Sequence, residues 1–170
     1  MDGRLRESRP SETGQGGAFE ISRLLPGDVE ACARIVAGTE LWHRYSIDFD
    51  RALKLFKKAL ENHEPVFVAR SGEEVVGFVW AIPRGMFGRS GYIKLIGVAP
   101  SARGKGIGAK LLHHAEQFLA RFDRDVFLLV SDFNTPAQKF YRREGYVEVG
   151  RLPDYAVEGI TEVLMWKRLE

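Results

Sequence analysis

The sequence predicts an α/β fold built on one mixed sheet of about seven strands. Short apolar or alternating segments typical of strands recur along the chain, and stretches with helical periodicity separate them. The segment from Leu95 to Leu112 is typical of a buried strand, a glycine-rich loop and the start of an amphipathic helix. The predicted order is β-α-α-β-β-β-α-β-α-β-β, which combines antiparallel hairpins with a central βαβ unit.

Length and composition indicate one globular domain. The chain has 170 residues, and we predict a disordered leader over residues 1–17 and a single domain over 18–170. A net charge of +2 gives no support for nucleic acid as a partner, and a single cysteine excludes an internal disulfide and a cysteine-rich zinc site. No apolar stretch approaches the ~20 residues of a membrane helix, and no signal peptide is visible. We therefore expect a cytoplasmic protein, a monomer or homodimer, without membrane contact or a metal.

The N-terminal half predicts one strand, two helices and a hairpin. The strand covers 19–24, where apolar and polar residues alternate. The first helix follows at 26–38, and the second, at 50–62, has its apolar residues at helical spacing. Two further strands, at 65–70 and 75–83, form the hairpin.

The C-terminal half predicts four more strands and two helices. A glycine-rich loop at 84–91 leads into it, and another loop at 153–159 precedes the last strand. The first helix begins at Ile107. The other predicted elements are strands at 92–98, 126–130, 146–150 and 162–168 and a helix over 134–145.

The loop before the first of these helices predicts an anion-binding site. Gly104, Gly106 and Gly108 remove side chains where backbone N–H groups and the positive end of the helix dipole meet. A phosphate or pyrophosphate is the expected ligand. The spacing does not match a P-loop, because Lys110 is followed by Leu111, nor the G-x-G-x-x-G dinucleotide fingerprint.

Two motifs carry a resemblance to a known family. Arg103, Gly106 and Gly108 fit the pattern Gln/Arg-x-x-Gly-x-Gly/Ala after an apolar strand, which resembles the acetyl-coenzyme A signature of the GNAT superfamily of N-acetyltransferases. The second hallmark of that superfamily is N-x-x-A-x-x-x-Y-x-x-x-G-F/Y. It is complete here in Asn134, Ala137, Tyr141, Gly145 and Tyr146.

The resemblance implies a fold and a co-substrate. The fold is a GNAT-type twisted mixed sheet with helices on both faces, in which two central parallel strands, here 92–98 and 126–130, splay apart. Acetyl-CoA would enter the gap, with its pyrophosphate on the glycine loop, Arg103–Gly108. The residues implied to bind it are Ile96, Gly97, Val98, Arg103, Gly104, Lys105, Gly106, Ile107, Gly108, Asn134, Ala137 and Tyr141.

The implied reaction is transfer of an acetyl group to a primary amine by direct attack in a ternary complex. Tyr141 would be the general acid for the leaving thiolate, and the backbone N–H of Ile96 would stabilise the oxyanion. The acceptor is left open between a protein N-terminus, a lysine and a small-molecule amine. Three aromatic side chains are candidates for an acceptor pocket, namely Trp42, Phe87 and Tyr155.

The general base is not evident from the sequence. Relatives often carry a glutamate on one of the two central strands, but Leu95, Ile96 and Leu129 are apolar here. Asp132 is near in sequence and is expected to point away, and a water chain is an alternative. Further carboxylates and a histidine are interpreted as surface or hairpin residues that could reach the pocket: Glu40, His43, Glu158 and Glu162.

Without a strong base the site favours a weakly basic acceptor, since deprotonation at pH 7 costs ~4.6 kcal/mol for a lysine and ~1 kcal/mol for an α-amine. The missing carboxylate also supports an alternative function, a non-catalytic domain that binds or senses acyl-CoA. A third possibility is an interaction module attached through the basic leader.

Overall fold

The computed structural model describes residues 19–170, so the predicted leader at 1–17 lies outside the described residues. The strands of these residues are β1 (Glu20–Arg23), β2 (Val66–Ser71), β3 (Glu74–Met86), β4 (Ser90–Val98), β5 (Asp125–Ser131), β6 (Val147–Pro153) and β7 (Thr161–Arg168). They form one sheet in the order β1-β2-β3-β4-β5-β7-β6. The α-helices are α1 (Val29–Ala37), α2 (Glu40–His43), α3 (Phe49–Glu61), α4 (Ile107–Leu119) and α5 (Thr135–Arg143).

The predicted order of elements is confirmed, with two differences. The connection after α1 contains the short helix α2, which is too brief to show helical periodicity in the sequence. In addition, β3 continues past Pro83 to Met86, although a loop was predicted there. The β3–β4 register is interrupted between Ile82 and Met86, so the missing N–H of Pro83 falls where the ladder is already irregular.

Helices cover both faces of the sheet, as predicted. Successive residues of β2 point to opposite faces: Val66 and Val68 pack with α1 and α3, whereas Phe67 and Ala69 pack with α4. Cys32 of α1 is fully buried, and burial raises the pKa of its thiol to about 12, as befits a packing residue. No helix within residues 19–170 is long and apolar enough to span a membrane.

The two central parallel strands separate, which confirms the predicted splay. Strand β4 pairs with β5 only from Gly91 to Ile93. Beyond this point β4 stays paired with β3 alone. Lys94 lies where they separate and has no partner in β3, because the register shifts between Trp80 and Ala81. One edge of β4 is therefore free of strand partners over its last residues.

Candidate active site

A cavity of about 850 Å³ opens where β4 and β5 separate. Its walls come from β4, the glycine loop, the first turn of α4, the end of β5, the start of α5, the α2 region, the β6–β7 loop and the beginning of β7. Its two ends differ in composition. We call them the glycine-loop end, formed by Arg103–Gly108 beside β4, and the acceptor end, formed by Tyr45, Ser131 and Glu162.

At the glycine-loop end the backbone needs glycine for conformational reasons. Gly104 and Gly106 have φ angles of 75° and 77°, in the left-handed region that side chains disfavour. A Cβ at either position would meet no atom within 4 Å, so the backbone angle and not crowding requires glycine. Gly106 directly precedes α4, whose first-turn N–H groups have no acceptor within the helix. This end can bind an anion.

The free edge of β4 presents backbone groups to the cavity. The N–H of Ala99 donates to the carbonyl of Val76 at 2.8 Å, which fixes the alternation of amide directions along the strand. Ile96 and Val98 therefore turn their N–H and C=O groups away from β3 and toward the gap. The guanidinium Nε of Arg103 donates to the Val98 carbonyl at 3.3 Å, consistent with that orientation.

Tyr141 lies on α5 and borders the same cavity. Asn134 caps this helix, since its side-chain oxygen accepts a hydrogen bond from the Ala137 N–H at 3.3 Å. The ring of Tyr141 packs edge-on against Tyr146, with centroids 5.7 Å apart. Burial, together with the neighbouring Tyr92, raises the pKa of the Tyr141 phenol above its usual range. The hydroxyl is therefore protonated at neutral pH.

The structure brings the predicted acetyl-CoA residues together around the cavity. All of them line it except Lys105, which is exposed. The predicted contribution of Lys105 stays a prediction and would have to come from its backbone. Of the candidate pocket aromatics, Trp42 and Tyr155 line the cavity. Phe87 does not line it, because the β3–β4 turn carries it to Phe127, where the ring centroids lie 5.6 Å apart.

The acceptor end holds three hydrogen-bonded side chains. The Tyr45 hydroxyl donates to Oε1 of Glu162 and is also hydrogen-bonded to the Ser131 hydroxyl. Because Tyr45 has one hydroxyl proton, Ser131 is the donor in the second bond. Ser131 and Glu162 face each other in the β5–β7 ladder, and Tyr45 lies between α2 and α3. Burial and the neighbouring carboxylate raise the pKa of Tyr45 to about 12.

Glu162 is a hairpin residue, since it pairs with Leu152 across the β6–β7 hairpin, but the expectation that it lies on the surface is wrong. Glu162 is 4% exposed and lines the cavity, because β7 runs inside the sheet between β5 and β6. The other candidates, Glu40, His43, Glu158 and Asp132, are exposed and do not line it.

Sequence reasoning also missed Tyr45 and Ser131 as members of the site. No motif marks either residue, and only the aromatic and polar composition of the connection before α3 pointed to Tyr45. Within residues 19–170, no group of three or more His, Cys, Asp or Glu side chains is placed to hold a metal ion.

Comparison with known proteins identifies the family. The model of the acetyltransferase (GNAT) family matches residues 30–146. The chain is 34% identical over 150 residues to a mycothiol acetyltransferase of Saccharomonospora viridis, which covers 80% of this chain and 48% of that protein. It is 29% identical to the uncharacterized N-acetyltransferase YhfO of Bacillus subtilis, over 76% of this chain and 91% of that one. The chain spans about a quarter to a half of the length of the mycothiol acetyltransferases that it matches.

Solved structures agree with this family. Ard1 from Thermoplasma volcanium superimposes with a TM-score of 0.74 at 26% identity, over 90% of this chain and 99% of that one. An aminoglycoside 6'-N-acetyltransferase complexed with coenzyme A gives 0.73 at 18% identity, over 89% and 97%. Sequence, fold and cavity thus agree, and the chain belongs to the GNAT acetyltransferase family.

Proposed function

We propose that the protein transfers an acetyl group from acetyl-CoA to a primary amine, by direct attack of the amine on the thioester in a ternary complex. One observation carries this proposal: β4 separates from β5, and the glycine loop, the free edge of β4 and Tyr141 all line the cavity that opens there. Family membership supports the same reaction.

The residues present fit acetyl-CoA as co-substrate. The backbone N–H groups of the glycine loop and of the first turn of α4 would hold the pyrophosphate. The free edge of β4 at Ile96–Val98 would pair with the amide groups of the pantetheine arm, as an added strand does. A neighbour of the same fold, the aminoglycoside 6'-N-acetyltransferase, was solved with coenzyme A.

Two groups of the chain would assist the chemistry. The Ile96 N–H points into the gap and would stabilise negative charge on the thioester oxygen during attack. Tyr141 would donate its hydroxyl proton to the leaving sulfur, because burial keeps that phenol protonated. The hydroxyl accepts or donates no hydrogen bond within residues 19–170, so it is available to a ligand.

The alternative of a non-catalytic acyl-CoA sensor rested on the missing strand carboxylate. That argument no longer holds, because the carboxylate of Glu162 lines the cavity. We also propose that the protein is a monomer or a homodimer. The need for acetyl-CoA is the reason to propose a cytoplasmic location.

Calorimetric titration with acetyl-CoA, with NADH and ATP as controls, tests the binding half of the proposal. We expect acetyl-CoA to bind and the two controls not to bind. A panel of primary amines then tests transfer through release of the coenzyme A thiol. Binding without amine-dependent thiol release would favour the sensor, and a folded protein without any binding would overturn both functions.

A further inference from the structure

We infer that Glu162 is the general base that takes a proton from the acceptor ammonium, and that Tyr45 positions it. This inference rests on the proposed function. The positions on β4 and β5 that were expected to carry a basic carboxylate hold apolar side chains instead, Leu95, Ile96 and Leu129. The inference therefore assigns the general base to β7.

One carboxylate oxygen of Glu162 is available to a substrate. Oε1 accepts the Tyr45 hydrogen bond. Within residues 19–170, Oε2 accepts no hydrogen bond, and no buried side-chain oxygen there is left without a partner. Oε2 is therefore accessible to solvent, from the cavity that Glu162 lines. Tyr141 and Ile96 line the same cavity.

The charge of Glu162 lacks a protein counterion. No lysine, arginine or histidine of the described residues lies within 4.0 Å of its carboxylate, although the residue is only 4% exposed. A buried carboxylate without a counterion costs stability, and such a group in a cavity is a candidate functional group. Two phenols act on it directly, Tyr45 by hydrogen bond and Tyr92 through its charge. The same cavity is also lined by charged residues, none of whose cationic groups lies within 4.0 Å of the carboxylate: Lys94, Arg103, Arg143 and Glu144. A ligand cation is the partner this environment lacks, and aromatic rings also attract ammonium groups.

Tyr45 fixes the carboxylate at the cavity wall. Its hydroxyl holds Oε1 while Ser131 donates to the same hydroxyl, so the carboxylate is oriented by a chain of two hydrogen bonds. The ladder pairing of Ser131 with Glu162 sets the two residues side by side. Leu129 is two residues before Ser131, so its side chain lies on the same face of the sheet as those of Ser131 and Glu162. The Glu162 carboxylate therefore lies on the face where a carboxylate at position 129 of β5 would lie.

The proton balance closes with the groups present. Oε2 takes one proton from the ammonium, and the freed lone pair forms the C–N bond as the C–S bond breaks. Tyr141 gives its proton to the leaving sulfur and regains one from the new amide nitrogen. Glu162 then releases its proton to solvent. The products are the acetylated amine and the coenzyme A thiol.

The variant Glu162→Gln tests the base role with two acceptor probes. n-Butylamine is protonated at neutral pH and needs a base, whereas aniline is already neutral. For n-butylamine we expect kcat/KM to fall about 100-fold to 1000-fold, within the range of general-base catalysis. For aniline the loss should stay below about 10-fold, since there is no ammonium to deprotonate. Acetyl-CoA affinity should be unchanged, and NMR titration of the acetyl-CoA-free protein should show weaker n-butylammonium binding.

Two further variants make the result decisive. Glu158→Gln removes the same charge from an exposed loop outside the cavity and should leave kcat/KM unchanged. Tyr45→Phe keeps the ring and should lower kcat for n-butylamine about 10-fold with little change in KM. This variant still tests the inference if the Glu162→Gln protein does not fold. Equal losses on both amines, or no loss, would overturn the inference and leave the acetyltransferase proposal intact. A wild-type protein that binds acetyl-CoA but acetylates neither probe nor any amine of the wider panel would overturn both.

Discussion

The glycine-loop end of the cavity is made of backbone groups from one short stretch, Arg103–Gly108, whereas the acceptor end is made of side chains from distant parts of the chain. Tyr45 is 86 residues from Ser131 and 117 from Glu162. A backbone site depends on φ angles and on the start of a helix. A side-chain site depends on single polar atoms. Substitutions should therefore affect binding at one end and chemistry at the other.

After Glu162→Gln, the largest expected effect belongs to Tyr141, which lines the cavity that both ends share. Tyr141→Phe removes only the hydroxyl, so kcat should fall about 100-fold through loss of the general acid. The Kd for acetyl-CoA should stay within about 2-fold, because backbone groups hold most of that ligand. Steady-state kinetics and calorimetry on the same sample measure both quantities.

Tyr146→Phe is the matched control for that variant. The Tyr146 hydroxyl donates to Glu116 at 2.9 Å and lies outside the cavity. Its loss should lower the free energy of unfolding by about 1–3 kcal/mol and leave kcat unchanged. A Tyr141→Phe enzyme with wild-type kcat would remove Tyr141 from the general-acid role.

A smaller effect is expected at the glycine-loop end. Gly106→Ala strains a backbone with φ of 77° beside the helix start, and should raise the Kd for acetyl-CoA about 10-fold. Gly72→Ala imposes a similar strain, at φ of 62°, in the β2–β3 turn. Both variants should lose about 1–2 kcal/mol of unfolding free energy. Equal Kd values for the two would contradict an anion site at the loop.

Moving the carboxylate from β7 to the neighbouring strand β5 tests whether proton transfer requires a carboxylate on β7. Leu129 lines the cavity on the neighbouring strand. Adding Leu129→Glu to Glu162→Gln should recover roughly 5-fold of the lost kcat/KM for n-butylamine, because a carboxylate again reaches the cavity. Leu129→Gln in the same background is the control and should recover nothing.

The last expected effect is on alkaline stability and not on activity, because four phenols with raised pKa values lie in or next to the cavity. Burial raises the pKa of Tyr45 and Tyr92 to about 12, and raises those of Tyr141 and Tyr146 as well. Tyrosines of the unfolded chain ionise near pH 10, so unfolding releases protons above that pH. The free energy of unfolding should begin to fall near pH 9, where the Cys32 thiol of the unfolded chain ionises, and should fall more steeply above pH 10 as the phenols follow.

Urea titrations between pH 8 and pH 11 measure this decline. Tyr146→Phe should make it shallower, because one late-titrating phenol is removed. Stability that stays constant from pH 9 to pH 11 would contradict the burial of these hydroxyls.

The contrast between the two ends also explains what the sequence could predict. Gly104, Gly106 and Asn134 act through local conformation, a left-handed backbone or a helix cap, and local conformation is encoded in neighbouring residues. The order of strands and helices follows hydrophobic periodicity in the same way. For these features, a short window of sequence is sufficient.

The acceptor end could not be predicted in that manner. Glu162 looks like a strand-end carboxylate until β7 is placed between β5 and β6, and only the β5–β7 register brings it beside Ser131. Tyr45 joins them through a turn after α2, a helix of four residues without periodicity. That long-range pairing is why the expectation of a surface position for Glu162 was wrong. Phe87 lies outside the cavity for another reason, because the β3–β4 turn carries it to Phe127.

The most direct test of the division between the ends measures the Kd for acetyl-CoA and the amine-dependent kcat for Gly106→Ala and Glu162→Gln side by side. We predict that Gly106→Ala raises Kd with kcat near wild type at saturating acetyl-CoA, and that Glu162→Gln lowers kcat for n-butylamine with Kd unchanged. Parallel changes in both quantities for both variants would contradict separate binding and proton-transfer ends.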